Sequence, residues 1–178
     1  MTKKQFAAKV FSKAELEFYS RSKKAVKKEI EIMKLLKGHK RVLELYEIHE
    51  TRNSLYFVIE YLAGGELLKR IKSKRFYNEN DAVKLMRNIL EGLQYIHNKG
   101  IMHRDIKPSN ILLTSEENDE DVKIVDYGLA TECNSNQKEN KKCGTPGFVA
   151  PELFKVKECI NYNEKCDIFS TGVVFYIM

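Results

Sequence analysis

Between His103 and Gly128 the chain sets two chemistry-rich turns against two short apolar runs, and this alternation constrains its fold more than any other feature. His103-Arg104-Asp105-Ile106-Lys107-Pro108-Ser109-Asn110 follows a helical stretch that ends at Gly100. Ile111–Leu113 and Val122–Val125 then read as a hairpin, with the acidic stretch Ser115–Asp121 between them as a solvated loop. Asp126-Tyr127-Gly128 closes the second run with a carboxylate. A carboxylate, a lysine two residues on, an amide five residues on and a second carboxylate after a strand are the set that phosphoryl transfer needs. One carboxylate orients and deprotonates an acceptor hydroxyl. The other, with an amide oxygen, suits Mg²⁺, a hard ion that takes few protein ligands. The lysine offsets charge on the group in flight.

The rest of the sequence predicts an α+β chain. Gln5–Phe11 is a strand candidate. Ser20–Lys37 carries Val26, Ile30 and Met33 at helical spacing and stops at Gly38. Val42–His49 and Leu55–Glu60 alternate as two strands around a polar turn. After Gly64-Gly65 the pattern predicts a short helix over Glu66–Ser73 and a long one over Asn80–Lys99. The expected buried face of the long helix is Val83, Met86, Ile89/Leu90, Leu93 and Ile96/His97. Thr131–Lys142 is polar and is expected to be mobile. Cys166–Met178 is apolar on almost every side and predicts a buried helix. The division near Leu62–Gly65 separates one helix and three strands from a mainly helical remainder, which suggests two lobes: 1–61, a hinge over 62–65, and 66–178.

Composition excludes several classes. At 178 residues, 43% apolar and 31% charged, the chain fits a soluble globular protein rather than a disordered one. No apolar run approaches the ~18 residues of a membrane span, and no signal peptide is visible, so a cytoplasmic or nuclear location is the default. The four cysteines, Cys133, Cys143, Cys159 and Cys166, form no Cys-x-x-Cys pair, which argues against zinc and for reduced thiols. The net charge of +6 is concentrated early: residues 1–41 hold 13 of 31 Lys/Arg and four of 25 Asp/Glu. We read this as a solvated helix face and expect neither nucleic acid nor membrane as a partner.

The motifs together resemble the eukaryotic protein kinase family. His103–Asn110 is similar to its catalytic loop and Asp126-Tyr127-Gly128 to its magnesium motif, with Tyr127 where Phe is usual. Gly144-Thr145-Pro146-Gly147-Phe148-Val149-Ala150-Pro151-Glu152 is similar to its substrate-side loop, and Asp167–Gly172 to its F helix. The resemblance implies a two-lobed kinase-like fold and transfer of the γ-phosphoryl group of ATP, with Mg²⁺, to Ser/Thr hydroxyls of protein substrates. It assigns Asp105 as base and Lys107 to the γ-phosphate, with Asn110 and Asp126 on the metal. Phe6-Ala7-Ala8-Lys9 stands where the family has Val-Ala-Ile-Lys, so Lys9 would meet the α/β-phosphates. Its partner would be Glu29, with Glu31 as the alternative. Ile59 takes the gatekeeper position. Glu60 and Leu62 would bind adenine through backbone groups, with Ala7 and Leu112 on the two faces of the ring, and Glu66 would reach the ribose. Met33, His103 and Tyr127 would pack in the hydrophobic spine, and Asp167 would hold the catalytic-loop backbone.

Glu60–Leu67 and Cys143–Phe148 look most like the calcium/calmodulin-dependent group, for which substrates with an upstream basic residue are plausible. Lys141 fills the usual phosphorylated hydroxyl position before Cys143, so control by phosphate there is not expected. No Gly-x-Gly-x-x-Gly is present and the sequence ends inside the F-helix motif. The expectation is therefore a chain truncated at both ends relative to the family's domain. The alternative reading of its function is a catalytically impaired kinase acting as a nucleotide- or protein-binding module.

Overall fold

The computed structural model describes residues 4–18, 23–74, 76–133, 143–154 and 162–178. A first sheet, in the order β1-β3-β2, is antiparallel throughout and is built from β1 (Phe6–Ser12), β2 (Leu45–Glu50) and β3 (Ser54–Glu60). In β1, Ala7, Lys9 and Phe11 point to the more buried face while Phe6, Ala8 and Val10 point out, the period-2 alternation of a half-covered strand. The register sets Lys9 opposite Phe57 and Ala7 opposite Ile59. Helix α1 (Lys13–Phe18), which the sequence did not announce, leaves the end of β1, and α2 (Lys23–Leu35) follows. Helix α2 buries Val26, Glu29, Ile32 and Met33, one stripe at i, i+3, i+6 and i+7, and leaves Lys23, Lys24, Lys27 and Lys34 exposed.

The second half opens with β4 (Gly65–Glu66), so Glu66 lies on a strand paired with Leu112 rather than on a helix. Helices α3 (Leu67–Lys74) and α4 (Glu79–Asn98) follow. Asn78 caps α4, its side chain accepting from the Asp81 N–H at 3.0 Å, and Glu79 and Asp81 complement the dipole of the first turn. A second sheet, β4-β6-β7, uses β6 (Ile111–Leu113) and β7 (Val122–Ile124), and a third pairs β5 (Ile101–Met102) with β8 (Thr131–Glu132). Helices α5 (Pro151–Phe154) and α6 (Lys165–Tyr176) complete the fold. A larger core runs from Phe11 and Phe57 through Leu36 and Leu85 to Ile124 and Tyr127, and a smaller one holds Met102, Ala150, Leu153, Tyr162 and Cys166.

Further expectations need correction. The buried face of α4 is Ala82, Leu85, Ile89, Gly92, Leu93 and Ile96; Val83 and Leu90 are exposed. The face is turned by the approach of Arg41: a Cβ on Gly92 would stand 2.9 Å from Arg41 Cβ, so only glycine lets the two backbones close. Helix α6 is not buried all round, because Ile168, Phe169 and Phe175 are exposed. The acidic loop 115–121 is clamped rather than simply solvated. Arg70 and Lys74 pair with Asp119, Lys84 pairs with Glu120, and Arg41 pairs with Asp121. The expectation of mobility over Thr131–Lys142 is corrected at its start, where Thr131, 3% exposed, and Glu132 form β8 against β5; residues 134–142 lie outside the described residues, as does Cys159. No helix among the described residues is long and apolar enough to cross a membrane.

Candidate active site

A cavity of about 310 Å³ lies between β1, α2, the 59–62 segment, β6 and the end of β7. Its apolar wall includes Ala7, Met33, Ile59, Leu62, Leu112 and Val125; its polar end holds Lys9, Glu29 and Asp126. Lys9 Nζ donates to Glu29 Oε1 at 2.7 Å and to Asp126 Oδ1 at 3.0 Å. Glu29 is 1% exposed, and a carboxylate buried this far calls for partners, of which Lys9 is one. Glu31 is exposed and lies away from this cavity, which leaves Glu29 as the partner that meets Lys9. Glu60 also lines the cavity. Its carboxylate pairs with Lys123 at 2.8 Å, and its N–H donates to Glu44 O at 3.0 Å. Glu66 is not brought to this cavity. Its carboxylate stands 3.8 Å from Lys69 Nζ, one turn along.

The 103–110 segment is held on every side. Asp105, 9% exposed, accepts from Thr145 Oγ1 at 2.6 Å and from Asn110 Nδ2 at 2.9 Å, and pairs with Lys107 Nζ at 2.8 Å. Lys107 also donates to Thr145 Oγ1 at 2.7 Å, closing a ring of three side chains. The Val125 N–H donates to Asn110 O at 3.0 Å, which fastens this segment to the one bearing Asp126. Arg104 adopts φ 66° and Asp126 φ 61°, a left-handed backbone that costs a side-chain-bearing residue roughly 1–2 kcal/mol. Asp167 holds the first of these. Fully buried on α6, it accepts from the N–H groups of His103 at 2.8 Å and Arg104 at 2.7 Å, and from His97 Nε2 at 2.9 Å. The Arg104 guanidinium donates to Leu129 O at 2.7 Å and to the Tyr162 hydroxyl at 2.6 Å.

The groups around the site are poised for packing rather than proton transfer. Burial drives the Tyr127 phenol far above its ordinary value; its hydroxyl donates to Ile124 O at 2.9 Å, and its ring meets His103 edge-on. Burial also raises the Tyr162 phenol, against the opposing pull of Arg104, and pushes the Cys133 thiol up to about 11. The Cys166 thiol is raised for the same reason. Cys133 and Cys166 are therefore not nucleophiles at neutral pH.

The donor set fits Mg²⁺ bound together with phosphates. Asp126 is 45% exposed at the polar end of the cavity, and with Asn110 Nδ2 committed to Asp105, the amide oxygen remains for a cation. Among the described residues no cluster of three or more His, Cys, Asp or Glu could hold a metal by itself.

A small sheet above a helical half, a lysine–glutamate pair from β1 to α2, and a carboxylate held by Lys107 and Thr145 define a class of phosphotransferase fold. The protein kinase domain family matches residues 1–178, and the chain belongs to that family. It is 38% identical over 177 residues, 99% of its length, to calcium-dependent protein kinase 5 of Plasmodium falciparum. It is 41% identical over 155 residues, 87% of its length, to a protein of Dictyostelium discoideum named as a probable myosin light chain kinase. Calcium-dependent protein kinase 4 of Plasmodium berghei is 37% identical over 175 residues. The chain spans 30%, 48% and 32% of these three relatives, well under two thirds of each.

Sequence reasoning did not find four contacts that shape the site. Lys123 braces Glu60, Arg41 ties Glu91 and Asn88 to the acidic loop, Tyr162 receives Arg104, and Lys28 reaches Thr131. All four join segments far apart in the chain through side chains with no local spacing to mark them.

Proposed function

We propose that this chain carries the phosphoryl-transfer site of a protein serine/threonine kinase. The observation that supports it best is the closed ring of Asp105, Lys107 and Thr145, with Asn110 bonded to the same carboxylate. A hydroxyl that displaced Thr145 Oγ1 from Asp105 Oδ1 would meet a carboxylate already held in place by two other side chains. Asp105 orients that hydroxyl and takes its proton, and Lys107, beside it, steadies charge on the transferring group. Protein kinases use ATP and Mg²⁺, and here the residues suited to them are few and adjacent. Asn110 and Asp126 would hold the ion, which supplies charge neutralisation on the phosphates. Lys9, kept in place by Glu29, would reach the phosphates, and the apolar wall with Ala7 and Leu112 would take the purine. With the Glu60 N–H spent on Glu44 O, a purine contact at Glu60 falls to its carbonyl, and Leu62 supplies the neighbouring groups. Residues 62–65 would act as the hinge.

The acceptors are Ser/Thr hydroxyls of protein substrates. The exposed carboxylate of Glu66 supports a preference for a basic residue upstream of the acceptor rather than a contact with ribose. The test is transfer of labelled phosphate from Mg²⁺-ATP to a mixed library of Ser/Thr peptides. Labelled peptides, enriched in upstream Arg or Lys, are expected. Binding of Mg²⁺-ATP with no transfer to any peptide would contradict this reading and favour a nucleotide-binding module.

A further inference from the structure

The ion pair of Lys9 and Glu29 requires α2 to stay where it is, and the contact that ties this helix to the catalytic half lies one residue before Glu29. Lys28 Nζ donates to Thr131 Oγ1 at 2.7 Å. Thr131 is 3% exposed, on β8, where it pairs in register with Met102 of β5. Met102 directly precedes His103, whose N–H is held by Asp167. A short covalent and hydrogen-bonded path therefore runs from the backbone of α2 to the start of the catalytic loop. Helix α2 also lies against the 127–129 turn.

Successive residues of a helix point about 100° apart, so Lys28 and Glu29 leave α2 toward different neighbours. Glu29 reaches up to β1 and Lys28 reaches down to β8. Glu29 and Lys28 thus hold the helix from two sides. A threonine hydroxyl held in a strand and nearly free of water is a fixed acceptor, and a bond to it from a charged donor is among the stronger polar contacts.

Resting on the kinase reading, we propose that Lys28 and Thr131 are positioning residues for the nucleotide site: they hold α2 at the depth at which Glu29 meets Lys9. Neither touches the cavity. Their effect passes through Glu29, so it disappears when Glu29 can no longer pair.

The test uses two conservative substitutions in the whole chain. Thr131→Val keeps the buried shape and removes the acceptor, while Thr131→Ser keeps the acceptor. Amide hydrogen exchange is followed over 23–35 and, for comparison, over β1, β2 and β3. Thr131→Val is expected to exchange about tenfold faster in α2 with the sheet unchanged, and Thr131→Ser to behave as wild type. Lys28→Met, at a half-buried position on the helix, should reproduce the Thr131→Val result. Binding of Mg²⁺-ADP should weaken about tenfold in Thr131→Val, and this loss should vanish when Glu29→Gln is already present. Unchanged exchange in α2, faster exchange throughout the molecule, or an equal loss of affinity in the Glu29→Gln background would each overturn the inference. A wild-type chain that binds no Mg²⁺-ADP would instead sink the kinase reading, and the exchange comparison would still decide the role of Lys28.

Discussion

The two edges of the candidate site are built on different plans. On the catalytic-loop edge, Asp105 meets three side chains, and its segment is fastened again through Asn110 to β7 and through Asp167 to α6. On the other edge, Lys9 is about a third exposed and its position depends on Glu29, hence on where α2 lies. The first edge is redundant and buried, so loss of one contact leaves others. On the second, Lys9 is shared between Glu29 and Asp126, and Glu29 moves with α2. On the proposed reading, Asp105 stays fixed while the position of Lys9 follows one helix.

The largest effect should come from the reacting carboxylate. Asp105→Asn removes the proton acceptor but not the surrounding scaffold, so peptide phosphorylation should fall by at least ~10²-fold while Mg²⁺-ADP affinity stays within about threefold. A smaller loss in transfer would break the comparison at its firm edge. Asp167→Ala asks whether that edge is really redundant. It leaves two buried backbone N–H groups without their acceptor, beside a left-handed Arg104, and should cost about 3 kcal/mol or more in chemical denaturation. Glu29→Gln tests the adjustable edge. Lys9 loses its charged partner but keeps Asp126, so Mg²⁺-ADP affinity should drop about tenfold with stability changed less than in Asp167→Ala.

The smallest effect is electrostatic. Burial lowers the affinity of His39 for a proton below the ordinary value of 6.5, with Glu91 opposing, and its ring stacks on Tyr95 at 4.2 Å. The unfolded chain therefore binds that proton more readily than the folded one. The contribution of the neutral ring is present above pH ~6.5 and is lost as pH falls through the folded value. Urea midpoints measured at pH 7.5 and 5.5 should drop more in wild type than in His39→Phe.

How much of this could be read from sequence follows the same divide. The catalytic-loop edge was legible because its residues lie close together: Asp105, Lys107 and Asn110 sit within one turn, and Asp126 follows a strand whose apolar run is plain. Lys9 and Glu29 were placed by resemblance, in a lysine-rich stretch where local spacing alone favours no single lysine. The face of α4 was misjudged because Val83 and Leu90 fit a helical stripe as well as Ala82, Leu85 and Gly92 do, and only the approach of Arg41 to Gly92 decides between them. The clamped loop 115–121 was read as solvated because its partners, Arg70, Lys74, Lys84 and Arg41, come from three other segments. Glu66 fell on a strand because pairing with Leu112 outweighed the helical reading that its charge beside Leu67 suggested.

The most direct test of the account is calorimetric titration of the chain with Mg²⁺-ADP, in parallel with Asp126→Ala and with Mg²⁺ withheld. The account predicts saturable binding by the parent, weakened at least tenfold both by the substitution and by removal of the ion, because Asp126 and the metal act on the same phosphates. Binding that is equally tight in all three, or absent from the parent, would contradict the claim that Lys9, Asn110 and Asp126 form a metal-nucleotide site.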